Sequence, residues 1–597
     1  MLLERQLEPL YTLLAESGIK EYPHDYLRYL WKTLIQNHPH DSICGCSVDE
    51  VHRNMMDRFS RVETGAQDML ARGMGLLGEY VDRSTLSQDQ YLLVVFNPVQ
   101  QERTQTLEFT AEFPMPEKVK CFRITDQNGN PTEFRVLSKE ARAKGVVTPI
   151  NLPGVVNVDA YRVLITVQNL PGLSYRTYVI TPSETETVLQ PSAIQEGNVL
   201  ENRCLRAEIQ PNGTVNLLQK ETGAELRGLF LLEDEAEIGD SYVHFSLPHC
   251  PCFTSAAENA KIVLFSDEAR RQRAEIRYVI EIPEEYLESE RRRSSKMTEL
   301  PVCLTLTLEE ESHYLSASVT LENNAKDHRV RMRFPTGTRC DTSFSGNPFD
   351  VIARSRREAH AEGCVPDQPD SEFIAVDGER GGVALFNNGL HEYEHDEDGA
   401  LLLTLLRCEG YISHDPYGGG DMVEDKWRAK ESQCIGTHTL ELAVYPYAGS
   451  HRTARAAQTA RCFNTPLLSC CQPVDCRKFA GGRPFVQGSD TPEYFFRAKE
   501  HPETVLPALG TLCTVEDDSG AILLSAVKRA ERSDEMILRV YNTAPETVSF
   551  AVRFAEPCSV FRSDLRESVG DALPLVQPGT VRLQAKPKEI ITLTVVG

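Results

Sequence analysis

The sequence predicts an α+β multidomain protein, with an N-terminal three-helix bundle followed by β-sandwich domains. Three observations lead there. The first 80 or so residues repeat their apolar side chains at helical spacing. From Tyr91 onward the apolar residues alternate in short runs broken by Gly, Pro, Asn and Asp, the pattern of half-buried strands. The length of 597 residues is enough for roughly four domains at about 150 residues each.

In the first helix Leu3, Leu7, Leu10 and Leu14 step by four, three and four, and Gly18 supplies a stop. No Ser, Thr, Asp or Asn precedes it as an N-cap. Pro23 opens the second helix where its missing N–H costs nothing. Leu27, Leu30, Trp31, Leu34 and Ile35 form that helix's apolar stripe. The third helix is expected to start at Ser47, with Ser47-Val48-Asp49-Glu50 as a capping box. Val51, Met55, Phe59, Val62, Ala66 and Met69 make its buried seam.

The strand runs include Leu92–Val99, Tyr161–Leu170, Tyr175–Pro182, Val302–Glu311, Tyr314–Asn324, Val330–Gly337, Ile537–Thr543, Val548–Phe554 and Glu589–Val596. Turn-rich stretches place domain boundaries near 90, 190 and 475. The expected units are a bundle over 1–83, a small sandwich over 90–188, a large sandwich over 195–475 and a C-terminal sandwich over 476–597. The charged stretch Glu288–Lys296 reads as a solvated tip.

The net charge of -24 argues against a nucleic-acid or anionic-membrane binder, since both require a basic surface. No apolar run approaches the ~20 residues of a membrane span. The acidic and basic residues of the opening "MLLERQLEPL" do not fit a signal peptide. The 17 cysteines, scattered and odd in number, predict reduced thiols and a cytoplasmic location. The triplet Asn212-Gly213-Thr214 is then a chance match to a glycosylation acceptor.

Several segments look like metal sites. His391–His395, "HEYEH", fits the H-E-x-x-H pattern of zinc proteases, which works only on a helix. Its flanks are β-like, and in a strand the two histidines would stand about 13 Å apart. Two nitrogens each about 2.1 Å from one zinc cannot do so. "HCPC" (His249–Cys252) and "CCQPVDC" (Cys470–Cys476) lack the paired C-x-x-C spacing of a structural zinc site. The sequence has neither a phosphate-cradling glycine loop nor a serine-nucleophile elbow.

The segment "HPHDSICGCS", His38–Ser47, is different. It packs two histidines, an aspartate, a proline, a glycine and two cysteines into one helix–helix connection. Pro39 ends the preceding helix, and Gly45 is expected to allow close backbone approach. His40 and Asp41 are then held between rigid helices, an imidazole beside a carboxylate that suits a metal or sugar hydroxyls.

The longer stretch "LWKTLIQNHPHDSICGCSVDEVHRNMMDRF" (Leu30–Phe59) closely resembles the middle domain of bacterial α-mannosidases of glycoside hydrolase family 38. The resemblance continues through "VRMRFPTG", "NPFDVIARSRRE", "NNGLHEYE" and "ESQCIGTHTLELAVYPYAG". It implies a galactose-mutarotase-like large sandwich. It implies that His40 is one of four zinc ligands and that Asp41 hydrogen-bonds the hydroxyls of bound mannose. It also implies retaining hydrolysis through a carboxylate nucleophile and a second carboxyl that serves as acid and then base.

In the family pattern the nucleophile, the acid/base and the other zinc ligands lie in an N-terminal α/β domain. No H-x-D-x-x-W-type motif precedes the bundle here. The expectation is therefore a truncated or split chain, inactive alone, with no catalytic residue of its own and zinc held only jointly with a separate N-terminal mannosidase domain. Mannosylglycerate-type hydrolysis is a variant of this reading. The second reading is a non-catalytic carbohydrate-binding or structural sandwich protein. Two β loops, 387–396 and "DPYGGGD" (Asp415–Asp421), are expected to approach the His40 cleft, and Glu392, Glu394 and Asp421 are the carboxylates to suspect if the isolated chain hydrolyses mannosides.

Overall fold

The computed structural model describes residues 1–146, 154–183, 189–267, 270–361, 365–414, 428–479 and 505–597. The N-terminal region is helical. A π-helical turn, Leu2–Leu7, runs into α1 (Glu8–Glu16). Pro9 explains the change of pitch, because without an N–H it cannot donate to the carbonyl four residues back. Next come α2 (His24–Ile35), the single turn α3 (His40–Ile43) and the 32-residue α4 (Asp49–Tyr80). Leu10, Leu14, Leu27, Leu30, Val62, Ala66 and Met69 meet in one buried cluster, as their spacing requires.

Two details differ from the sequence reading. Ile35 lies outside the apolar stripe's contact and is 54% exposed. The capping box does not form. Val48, extended at ψ 154°, is the N-cap, and no side chain caps the helix. Glu50, which the box would bend back, pairs instead with Arg53 at 2.9 Å.

Every named strand pair among the described residues is antiparallel. The small sandwich faces Arg103–Pro114, Gly154–Leu170 and Phe134–Val146 against a sheet built on Tyr91–Asn97 and Ser174–Ser183. One edge of that sheet is Leu468–Pro473, which the linear division assigned to the large sandwich. Leu509–Thr511 also pairs with Ser174–Ser183. The chain therefore returns to the small sandwich after completing the large one.

The large sandwich packs a ten-stranded sheet on a six-stranded one. Met297–Glu309 pairs along its whole length with Arg271–Pro283. Leu300, Val302, Leu304, Leu306 and Leu308 all fall on its buried face, the two-residue period of a half-buried strand. The six-stranded sheet carries Leu231–Ala236, His328–Pro335, Ala400–Cys408 and Glu392–His395. The C-terminal sandwich closes the chain with sheets of four and five strands. Its apolar face joins the helices in a common core, where Leu7 and Leu10 share a cluster with Leu538 and Leu593. The Glu288–Lys296 stretch is not wholly solvated: Arg293 turns inward, buried, 2.5 Å from Asp234. No described helix is long and apolar enough to cross a membrane.

Candidate functional site

The connection between α2 and α4 is fixed at both ends. Asn37 is fully buried, donates to the Met55 carbonyl at 3.1 Å and accepts from Arg58 at 3.2 Å. Pro39, extended at ψ 140°, offers its carbonyl to the amides of Ser42 and Ile43. The sequence reads the next residues as loop, but they wind into the turn α3, closed by the Cys44 amide on the His40 carbonyl and the Cys46 amide on the Asp41 carbonyl. Gly45 has a φ of +80°, and a Cβ there would meet nothing within 4 Å. Its role is the left-handed backbone, not the close approach expected from the sequence.

This turn holds His40 and Asp41 outward. Their side chains are 92% and 53% exposed, with His40 Nε2 3.3 Å from Asp41 Oδ1. Cys46 points the other way. It is buried, its thiol donates to the Ser241 carbonyl at 3.5 Å, and burial pushes its pKa up.

The surrounding rim belongs to the large sandwich. Asp240 accepts the amides of Tyr242, Val243 and His414. Ser241 donates to Glu409, whose carboxyl burial pushes up to about 7. Asp49 at the start of α4 accepts the Glu431 amide at 3.2 Å, and Arg53 pairs with the Glu431 carboxylate. Ile43, Met56 and Tyr242 are more than half exposed around the connection. The sandwich residues of this rim lie some 200 to 390 positions from His40 in sequence. Nothing local marks them, and only the docking of the bundle on the large sandwich brings them together.

The other sequence candidates resolve as structure. Glu392–His395 is a strand, not a helix, and His391 immediately precedes it. His391 Nδ1 lies 3.1 Å from the Asp370 carbonyl, and buried His395 is pushed down to about 4 by desolvation. Glu392 accepts from Thr404 and Arg329, and Glu394 accepts from Arg331. These carboxylates neutralise buried arginines, and none of their contacts reaches the His40 connection. Burial pushes the thiols of Cys252 and Cys470 up to about 12 and 11, opposite to what a metal thiolate needs. Asp415–Asp421 lies outside the described residues.

Among the described residues no group of three or more His, Cys, Asp or Glu is placed to hold a metal. One exposed imidazole beside one carboxylate fits a corner of a tetrahedral zinc shell, not the whole of it.

A sequence model of the α-mannosidase middle domain matches residues 2–77. Models of the glycosyl hydrolases family 38 C-terminal domain and C-terminal beta sandwich domain match residues 200–412 and 521–593. A putative mannosylglycerate hydrolase of Halalkalibacterium halodurans is 25% identical over 635 residues, covering 99% of this chain and 65% of the relative. The crystal structure of an α-mannosidase from Enterococcus faecalis V583 superposes with a TM-score of 0.84 at 24% identity, covering 99% of this chain and 66% of that one. A second E. faecalis structure, a protein in glycosyl hydrolase family 38, gives 0.82 at 24% identity over 99% and 68%. The chain spans about two thirds of the length of these relatives. The chain belongs to glycoside hydrolase family 38 and carries that family's middle helical domain and C-terminal β domains.

Proposed function

We propose that this chain is the helical and β portion of a retaining, zinc-dependent α-mannosidase, with mannosylglycerate-type hydrolysis as a close variant. The observation that carries the reading is the exposed His40–Asp41 pair on a turn anchored at both ends, in a chain with family 38 domains. His40 supplies one nitrogen to a metal shell whose remaining donors come from outside the described residues. Asp41 accepts hydrogen bonds from the hydroxyls of a mannosyl unit through its half-exposed carboxylate. Zinc, when bound, would grip sugar hydroxyls and help distort the ring.

The nucleophile and the acid/base would belong to a separate N-terminal mannosidase domain, seated against the connection. Exposed Ile35, Ile43, Met56 and Tyr242 offer that domain an apolar landing. The placement of Glu392 and Glu394 supports this division, because Arg329, Thr404 and Arg331 hold them and none of these contacts reaches the His40 connection.

The test is hydrolysis of an aryl α-mannoside by the purified chain alone and after co-expression with a family 38 N-terminal domain. The expected result is no turnover alone and turnover in the complex. Turnover by the chain alone would overturn the division of labour. A complex that forms and binds mannosides without cleaving them would favour a non-catalytic carbohydrate-binding role.

A further inference from the structure

The small and large sandwiches meet around an open cleft of about 770 Å³ that shares no residue with the His40 connection. Ligand sites span about 300 to 1,000 Å³, so the cleft has room for more than a single ion. Three segments wall it. The turn 126–130 and the hairpin tip at Gln168 and Asn169 come from the small sandwich, and Arg270, Glu310 and Glu311 come from the large one.

Each wall is tied down. Asp126 accepts the amides of Asn128 and Asn130 at 2.9 and 2.8 Å and closes the turn. Arg176 Nη2 donates to the Asn169 carbonyl at 3.0 Å and holds the tip. Arg270 crosses between the sandwiches. Its Nη1 donates to Thr166 Oγ1 at 3.0 Å and its Nη2 to Glu133 at 3.3 Å, while its carbonyl accepts the Glu310 amide at 2.9 Å. A ligand entering such a cleft does not have to order its walls. Two side chains of the wall are left over. Within the described residues no hydrogen bond engages the side-chain amide of Gln127 or of Gln168, and Gln127 Oε1 has no partner.

We propose that this cleft binds a neutral, hydroxyl-rich ligand, a short oligosaccharide, at a site separate from the His40–Asp41 pair. The chemistry of the wall selects that class. Amide, carboxylate and guanidinium groups line it together, so it offers both donors and acceptors, and a sugar hydroxyl needs both. The carboxylates of Asp126, Glu133, Glu310 and Glu311 outnumber the guanidinium groups of Arg176 and Arg270, which disfavours an anion such as phosphate. No group of three or more His, Cys, Asp or Glu among the described residues is placed to hold a metal. The apolar side chains of the wall are Pro131 and Tyr178, and Tyr178 is buried, so an apolar ligand finds no platform. Gln127 and Gln168 would supply the contacts. Each amide accepts at its oxygen and donates from its nitrogen, the pair of bonds that two neighbouring hydroxyls form. Binding would also give Gln127 Oε1 the partner it lacks. On the reading proposed above, such a site would hold a glycan on the molecule away from the point of cleavage. The binding itself does not depend on that reading, and turnover in the co-expressed complex is a separate measurement.

The experiment titrates mannotriose, and separately maltotriose, into the purified full chain and reads the saturation-transfer difference NMR signal of the sugar. The expected result is a saturable signal from at least one trisaccharide, with a Kd on the order of 1 mM because no exposed ring stacks on it. The double variant Gln127→Ala/Gln168→Ala should weaken binding by about tenfold, the loss of two hydrogen bonds of ordinary strength. Gln168→Ala alone, at an exposed position, should cost about threefold and serves if the double variant fails to fold. Inorganic phosphate should not displace the sugar. A wild-type chain that binds neither trisaccharide overturns the proposal whatever the variants do. So does a signal that the variants retain in full, or one that phosphate displaces.

Discussion

Glu8, Asp370 and Glu409 are buried carboxyls whose pKa values desolvation pushes up to about 7. Glu8 accepts from Trp31 Nε1 at 2.8 Å, which only partly offsets the lost hydration. Below pH 4.5 this group is neutral in both folded and unfolded chains. Between pH 4.5 and about 7 the unfolded chain ionises and the folded one does not, so stability falls as pH rises through that window. A shift from 4.5 to about 7 corresponds to about 3 kcal/mol as an upper bound. Glu8→Gln keeps an acceptor for Trp31 and removes the charge. It should raise the melting temperature at pH 8 and not at pH 4; an equal change at both would refute the assignment. At this scale the break between α2 and α4 is legible in the sequence, because Pro39 and the clustered polar residues interrupt the helical pattern. The buried arginine partners of Glu392 and Glu394 are not, since Arg329 and Arg331 lie 63 residues away and read as the polar face of a strand.

Among the elements, α4 carries the sharpest contrast. Gly73 sits where a Cβ would fall 2.8 Å from Leu10 Cδ2 and 3.2 Å from Tyr11 Cε2, whereas at Gly75 it would meet nothing within 4 Å. Gly75→Ala should stabilise the protein by ~0.5–1 kcal/mol, the helix-propensity difference. Gly73→Ala should destabilise it by ~1–3 kcal/mol, because the gain is outweighed by overpacking against α1. Thermal melts of the two variants decide it, and a stabilised Gly73→Ala would mean that α1 does not pack there. Helix and strand periods are readable because each element buries one face. Val548–Phe554 matches its expected limits residue for residue. The α4 cap departs from its sequence pattern: Val48, not Ser47, is the N-cap, and Glu50 pairs with Arg53, three residues on. The α3 turn escapes a sequence reading because one helical turn carries no period.

On the scale of the whole molecule, the helices share their core with the C-terminal sandwich, more than 430 residues away in sequence. Nothing in either segment announces the other, since an apolar face does not name its partner. The same holds for Leu468–Pro473, whose alternation gives a strand but not the sheet it joins. A shared core predicts shared unfolding. In a Trp427→Phe background, Trp31 fluorescence should report the bundle alone. Leu538→Ala, in the C-terminal sandwich, should cost ~2–5 kcal/mol and shift the Trp31 transition as far as it shifts the loss of β structure. An unmoved Trp31 transition would show two independent cores. In the proposed function, the whole assembly serves to present His40 and Asp41 to a metal and a sugar. The most direct test of that role is the zinc content, per complex, of the chain co-purified with a family 38 N-terminal domain. The wild-type complex should hold zinc near one equivalent, His40→Ala should lose most of it, and Asp41→Ala should keep it while losing turnover. Full zinc occupancy in the His40→Ala complex would contradict that role.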